Sequence, residues 1–265
     1  MAPTTAPWAD TPFDLVPSPR FTEKNADPKT IFTANEMAVS HNIYIRGLNA
    51  IYNQAPQVTS PAEIKDFLTF CQIWLEVIHH HHSLEEEIMF LGIERDLGKE
   101  GIMQGNLEQH RAFEGAMEEF RRYVEKISTN QGKGEECERY DGVVLRGLVD
   151  KFGAVLVEHL HEEIRNLLQV AREYDVSGEV LKKNYLAFEK RLVAESSWTR
   201  HHPFIFGSRD ATFENGVNGN WPADVPFFIP YVISGVLSRK LGNGVWRFLP
   251  SDFHGKPRSL PFAKP

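Results

Sequence analysis

The segment His79-His80-His81-His82-Ser83-Leu84-Glu85-Glu86-Glu87 lies inside a stretch of sequence that has the apolar spacing of a long helix. Residues four apart on a helix share a face, so His82 and Glu86 project from the same side. A buried carboxylate needs a partner or a cation, because an unpaired charge in a protein interior is costly. The segment therefore predicts that this helix turns metal ligands inward, provided that other helices supply further ligands.

The composition limits the classes of protein to consider. A net charge of -7 and the absence of a basic block argue against nucleic acid or an anionic membrane surface as a partner. No apolar run approaches the ~18 residues that span a bilayer, and Met1 to Asp10 lack the pattern of a secretion signal. Cys71 and Cys137 do not make a disulfide framework. We expect a cytoplasmic protein with no nucleic-acid and no membrane partner.

Four long helical patterns follow a Pro- and Thr-rich N-terminal segment. They run from about Thr33 to Gln54, from Ser60 to Leu97, from Asn106 to a polar loop at Ser128–Arg139, and from Asp141 to Tyr174. The second pattern opens with the capping box Ser60-Pro61-Ala62-Glu63.

The remaining sequence extends beyond a bundle of four helices. A fifth helix is predicted over Glu179–Ala194, and Pro, Gly and aromatic residues dominate after Trp198. We predict an all-α protein in which four helices form an up-down-up-down bundle. Its three parts are an irregular arm over residues 1–30, the bundle over 31–175, and an extra helix with a loop-rich extension packed on the bundle over 176–265.

Each of the four helices places imidazole or carboxylate groups on the stripe that should face the core. These candidate metal ligands are His41, His82, Glu86, His110, Glu114, His159 and Glu163. Antiparallel packing brings all of them to the same end of the bundle. Such a set exceeds the four ligands that zinc usually takes, and nitrogen and oxygen donors without thiolate suit a pair of first-row metals, with iron or manganese as leading candidates.

Four segments carry a resemblance to a known family. They are His41-Asn42-Ile43-Tyr44-Ile45-Arg46-Gly47-Leu48-Asn49, His81-His82-Ser83-Leu84-Glu85-Glu86-Glu87-Ile88-Met89-Phe90, Glu108-Gln109-His110-Arg111-Ala112-Phe113 and His159-Leu160-His161-Glu162-Glu163. Over roughly residues 35–170 the chain resembles the hemerythrin-like (HHE cation-binding) family, particularly its fungal members.

The resemblance implies two iron ions, ahead of manganese or zinc, and O2 as a co-substrate or ligand. His41 and His82 would bind one iron and His110 with His159 the other, while Glu86 and Glu163 would bridge them. From helix geometry, His79, His80 and His81 point around the helix, so at most one or two of them could support a ligand from outside, and solvent or helix-packing roles are favoured. Glu85 could orient a ligand, but a solvated charge is favoured.

Two differences from the family pattern bear on function. Glu114 stands where the family often has a second histidine, and the last helix has a His-x3-Glu spacing instead of the longer His-to-Asp spacing of O2-carrying hemerythrins. Additional anionic donors stabilise the ferric state, which disfavours clean reversible O2 binding. Both differences weaken the interpretation as a pure O2 carrier.

Three functions are compatible with these observations. The first is a non-haem di-iron oxidase or oxygenase that acts on a small organic molecule, with the C-terminal extension covering the site. The second is a module that binds or senses O2, nitric oxide or iron without turnover. The third is a structural bundle that holds zinc or no metal. The carboxylate-rich donor set and the extension after Trp198 favour the enzyme, although one fold can host several activities.

Overall fold

A computed structural model describes residues 9–130, 139–174, 178–223 and 225–263. Over these residues the chain is all-α, as predicted, and its one β feature is an isolated bridge between Ser251 and Pro257. The longer helices are α1 (Pro28–Gln54), α2 (Pro61–Leu84), α3 (Leu91–Leu97), α4 (Gln104–Asn130), α5 (Gly142–Glu173), α6 (Gly178–Glu195) and α7 (His201–Ser208). A π-helical segment, Glu85–Phe90, joins α2 to α3.

Within the described ranges, no helix combines the length and the apolar character that crossing a bilayer requires. Cys137 and most of the polar loop predicted at Ser128–Arg139 lie outside the described residues.

Side chains cap the starts of three bundle helices. Asp27 accepts hydrogen bonds from the amides two and three residues later, at 3.0 and 2.9 Å, so α1 begins about one turn earlier than predicted. The predicted cap at Ser60 is present, with its Oγ accepting from the amide of Glu63 at 3.4 Å. Asp141 caps α5 in the same way.

Helices α1, α2, α4 and α5 form the bundle, and large aromatic residues fill its centre. Trp74 stacks on Phe152 with ring centroids 6.0 Å apart and meets the edge of Phe120 at 6.1 Å. All three side chains are fully buried, and the indole of Trp74 donates to the carbonyl of Tyr44 at 3.0 Å. This aromatic layer supports the end of the bundle at which the histidines lie.

The N-terminal arm is fixed to α1 by two buried asparagines. Asn42 exchanges two hydrogen bonds with the backbone of Val16, at 2.7 and 2.9 Å. Asn49 accepts from the amide of Phe13 at 2.9 Å and donates to the carbonyls of Ala9 and Phe13. The arm therefore lies in an irregular but defined conformation, because its backbone groups are satisfied by side chains of α1.

The C-terminal extension packs on the first half of α2. Phe248 lies 4.9 Å from Phe67 and 6.0 Å from Phe70 between ring centroids, and Phe204 of α7 contacts Phe70 at 5.6 Å. The histidines of α2 lie at its other end, so these aromatic residues stabilise the bundle at a distance from the histidine cluster.

Helix α6 covers the end of the bundle that carries the histidines. Phe188 is buried against the ring of His81, with centroids 5.4 Å apart. Close packing against α3 depends on Gly92, because a Cβ atom there would lie 2.0 Å from Oδ1 of Asn184. This fifth helix gives the bundle a second buried face at the His81 side.

Candidate metal centre

Two groups of buried donors lie side by side in the bundle. His82, Glu85, His110 and His159 offer ligand atoms that all lie within 4.8 Å of one another, and so do His41, His81 and Glu85. Glu85 belongs to both groups, since one of its oxygens is 2.7 Å from Nε2 of His81 and the other is 3.7 Å from Nε2 of His110. A carboxylate in this position can bridge two metal ions.

A second carboxylate also lies between the two groups. Oε2 of Glu163 is 3.4 Å from Nε2 of His41 and 3.9 Å from Nε2 of His159, and its side chain is completely buried. The structure thus places two buried carboxylates between two sets of imidazoles.

The donor atoms fit cations because many of them face one another without a well-formed hydrogen bond. In the described structure, buried polar atoms without a hydrogen bond include Nε2 of His41, both ring nitrogens of His81, Nε2 of His82, and both carboxylate oxygens of Glu85 and of Glu163. Buried polar groups are normally hydrogen-bonded, and leaving one unpaired costs about 1–3 kcal/mol. So many orphaned nitrogen and oxygen atoms at one point indicate a site for metal ions.

Hydrogen bonds from outside the cluster orient the imidazoles of His41 and His159. Nδ1 of His41 donates to the carbonyl of Leu160 at 2.7 Å, which leaves Nε2 free to bind a metal ion. Nδ1 of His159 donates to the amide oxygen of Gln109 at 3.0 Å, so Nε2 of His159 is likewise the nitrogen that can bind a metal ion. Such outer partners fix the ring orientation and the tautomer of metal-binding histidines.

Burial shifts the pKa values of the cluster toward neutral forms. It lowers the pKa of His81, His82 and His159 well below the usual value of 6.5, and neighbouring imidazoles add to the effect. It raises the pKa of Glu85 well above 4.5, with further contributions from the carboxylates of Glu163 and Glu86. Neutral imidazoles can bind metal, and a bound cation would restore the charge of Glu85.

The structure places Glu86 at the edge of the cluster instead of inside it. Its side chain is 44% exposed, and Oε1 accepts a hydrogen bond from Nδ1 of His110 at 2.6 Å. The prediction assumed that a regular helix continues from His82, whereas Glu85–Phe90 is π-helical. Glu85 lies one regular turn after the buried His81 and therefore takes the inner position. The π-helical turn that begins at Glu85 holds an extra residue and changes the direction of the side chains that follow, including that of Glu86. We therefore replace Glu86 by Glu85 in the candidate ligand set.

Glu114 also lies outside the cluster. It is exposed on α4, where it lines a surface groove together with His79. The pairing implied by the resemblance changes as well, because His41 lies with His81, whereas His82 lies with His110 and His159.

Sequence reasoning missed His81 and Glu85, although a signal for them was present. His81 and Glu85 have the same four-residue spacing as His82 and Glu86, so the spacing alone cannot choose between the two pairs. The choice comes from α6, which buries the His81 side of α2. In a bundle of four helices, each helix is expected to bury one stripe of side chains. Such a prediction therefore turns only one of two adjacent histidines inward.

An all-α bundle with a buried histidine and carboxylate cluster defines a class of cation-binding helical proteins. Comparison with known proteins agrees, since residues 33–171 match the hemerythrin HHE cation binding domain. The chain belongs to this hemerythrin HHE cation-binding family.

One relative matches almost the full chain. It is described as "Dimeric xanthone biosynthesis cluster protein R11" from Cryptosporiopsis sp. (strain 8999), and it is 32% identical over 257 residues. The alignment covers 96% of this chain and 93% of the relative, so it includes the C-terminal extension. No solved structure matches the chain.

Proposed function

We propose that the protein is a non-haem dinuclear iron protein that uses O2 to oxidise a small organic metabolite. The observation that carries the proposal is the buried donor set, in which Nε2 of His41 and His82, both ring nitrogens of His81, and the carboxylate oxygens of Glu85 and Glu163 make no hydrogen bond within the described structure. His41 and His81 would hold one ion, and His82, His110 and His159 the other. Glu85 and Glu163 would lie between the ions. When bound, a pair of iron ions supplies electrons for the reduction of O2.

The residues around the donors keep bulk water out. Phe113 packs against the rings of His82, His110 and His159, and Phe188 covers His81. Both phenylalanines are 2% exposed. A dry, low-dielectric site strengthens electrostatic interactions with a bound cation and limits side reactions with water.

A biosynthetic role is supported by the full-length relative. That protein is described as part of a cluster for dimeric xanthone biosynthesis, and the similarity extends beyond the metal-binding bundle to the added helix and extension. An oxygen-using enzyme of small-molecule biosynthesis would need O2 and an organic substrate as its partners. We therefore propose an oxidase or oxygenase whose substrate is a hydroxylated aromatic molecule.

A second candidate is a protein that binds O2 or nitric oxide without turnover. The burial of the donors favours it, because His41, His81, Glu85, His159 and Glu163 are at most 1% exposed. A diatomic ligand can reach a site of this kind through small fluctuations, whereas an organic substrate cannot touch these five side chains directly.

Metal analysis followed by oxygen measurements would separate these functions. We expect about two iron ions per chain after anaerobic reconstitution, and O2 consumption that depends on a hydroxylated xanthone with formation of an oxidised product. A reversible change in the absorption spectrum with O2, without product, would favour the binding protein. A chain that binds zinc in preference to iron, or that binds one ion only, would contradict the dinuclear iron proposal.

A further inference from the structure

A large open groove runs along the surface between α2 and α4. Its volume is about 1180 Å³, and its floor includes the apolar side chains of Leu75 and Met117. Small-molecule sites usually occupy a cleft of about 300–1,000 Å³ with an apolar lining and a few polar groups, so the groove could hold a ligand of two or three fused rings.

The groove begins about one helical turn from two of the donors. His82 and His110 are 7% and 5% exposed, whereas the other donors of the cluster are at most 1% exposed. His79 and Glu114 line the groove, and they lie three and four residues from His82 and His110 along the same helices. A rise of about 1.5 Å per residue separates each pair by roughly one helical turn.

The charges on the groove favour a ligand that donates hydrogen bonds. Most of its carboxylates already have partners, since Glu76 pairs with Arg200, and Glu118 and Glu125 pair with Arg121. Glu195 likewise pairs with His80.

Glu114 differs from these carboxylates because it makes no hydrogen bond or ion pair with any residue that the structure describes. An anionic ligand would meet an excess of carboxylates, whereas a hydroxyl group can donate to Glu114.

A glycine opens space above the floor of the groove. Gly115 lies in the middle of α4, and a Cβ atom built on it would meet nothing within 4 Å. Glycine inside a helix costs about 1 kcal/mol relative to alanine. At this position the missing side chain keeps the wall of the groove flat beside Met117, whose sulfur and methylene groups suit contact with an aromatic ring.

We infer that the groove binds a neutral, planar aromatic molecule through a hydroxyl group that donates to Glu114. The inference rests on the proposed function in one respect, since it identifies the groove as the binding site for the organic substrate. Binding itself needs no turnover and can be measured separately.

The test uses the full-length, iron-loaded protein and the fluorescence anisotropy of naphthalene probes. We expect 2,6-dihydroxynaphthalene to bind at least tenfold more tightly than 2,6-dimethoxynaphthalene, which has no hydroxyl donor. Naphthalene-2,6-dicarboxylate should not bind, because the carboxylates of the groove repel it. Equal binding of all three probes would overturn the inference, as would preference for the dicarboxylate.

Two variants locate the binding site, and each has a matched control. Gly115→Leu should abolish binding by filling the groove, whereas Gly147→Leu should not, because Gly147 is another exposed helical glycine with open space above it. Glu114→Gln should weaken binding about tenfold, while Glu119→Gln should leave it unchanged, because Glu119 pairs with Lys151 of α5 and does not line the groove. All four variants should keep their iron content and their helical circular dichroism.

The outcomes distinguish failure of this inference from failure of the proposed function. If Gly115→Leu binds the dihydroxy probe as well as the unmodified protein does, the groove is not the site, even if the protein consumes O2. If binding requires Gly115 and Glu114 but no variant consumes O2, the groove assignment stands and the oxidase proposal fails. Loss of iron from Glu114→Gln would also contradict the inference, since it would make Glu114 a metal ligand.

Discussion

Glu86 accepts a hydrogen bond from Nδ1 of His110 at 2.6 Å, while Nε2 of the same ring lies 3.0 Å from Nε2 of His159. A carboxylate bound to Nδ1 keeps the proton on that nitrogen and directs Nε2 toward the interior. Two Nε2 atoms that both lack a proton cannot form a hydrogen bond with each other. A cation between them can be bound by both. Glu86 therefore acts on the candidate metal centre through His110 and not by direct contact.

Replacing Glu86 should weaken metal binding in a graded way. We expect Glu86→Ala to lower iron affinity about 10–100-fold, because loss of an outer partner of a histidine ligand typically has that effect. Glu86→Gln should lose less, since its amide oxygen can still accept from Nδ1 of His110. Competition with a chromophoric chelator would give both affinities.

His79→Ala provides the control for this series. His79 is exposed and bonds only weakly to Ser83, at 3.4 Å, so its removal should leave iron affinity unchanged. If His79→Ala lost as much affinity as Glu86→Ala, the assigned orientation of this helix would be incorrect.

Replacing Glu85 should abolish binding of two ions while sparing the fold. Its carboxylate lies between both groups of imidazoles, so we expect Glu85→Gln to bind at most one iron per chain. Burial raises its pKa well above 4.5, which favours the neutral acid in the metal-free protein, and glutamine resembles that neutral form. The free energy of unfolding of the metal-free variant should therefore lie within about 1 kcal/mol of that of the metal-free parent protein. Full retention of two iron ions would contradict the bridging assignment.

Removing the metal should lower thermal stability without dissolving the bundle. A cation that binds only the folded state stabilises it by mass action, so chelation should reduce the Tm by roughly 5–10 °C. Helical circular dichroism below the transition should remain, because the aromatic layer of Trp74, Phe120 and Phe152 does not involve the donors. The Glu85→Gln variant should show a smaller shift. An unchanged Tm after complete metal removal would contradict the site.

His202 should make the metal-free protein less stable in acid. Burial lowers its pKa in the folded state to about 4 from the usual value of 6.5, so the folded state disfavours the proton that the unfolded chain accepts. Its contribution to stability is thus present above pH 6.5 and is lost as the pH falls toward 4. Compared with His202→Gln, the parent protein should lose roughly 1–2 kcal/mol of unfolding free energy over this range. Urea denaturation at pH 7, 5.5 and 4 would give the unfolding free energies of both proteins. The same change of this free energy with pH in both proteins would contradict the expectation.

The part of the site that could be predicted is the part that depends on helical spacing. The structure brings His41, His110, His159 and Glu163 close together, because each lies on the stripe that its own helix turns toward the core. Glu86 and Glu114 do not, for two different physical reasons. The π-helical segment changes the orientation of residues after Leu84, and Glu114 lies on the edge of α4 that faces the open groove.

Sequence patterns were sufficient for the all-α class, the four bundle helices and the cap at Ser60. These follow from local rules, because hydrophobic period and capping residues act within one helix. Packing between helices was needed to show that both His81 and His82 face inward, with Glu85 and not Glu86 as their buried carboxylate. The two pairs have identical spacing, and only the packing of α6 over His81, together with the π-helical turn, buries Glu85 and leaves Glu86 at the surface.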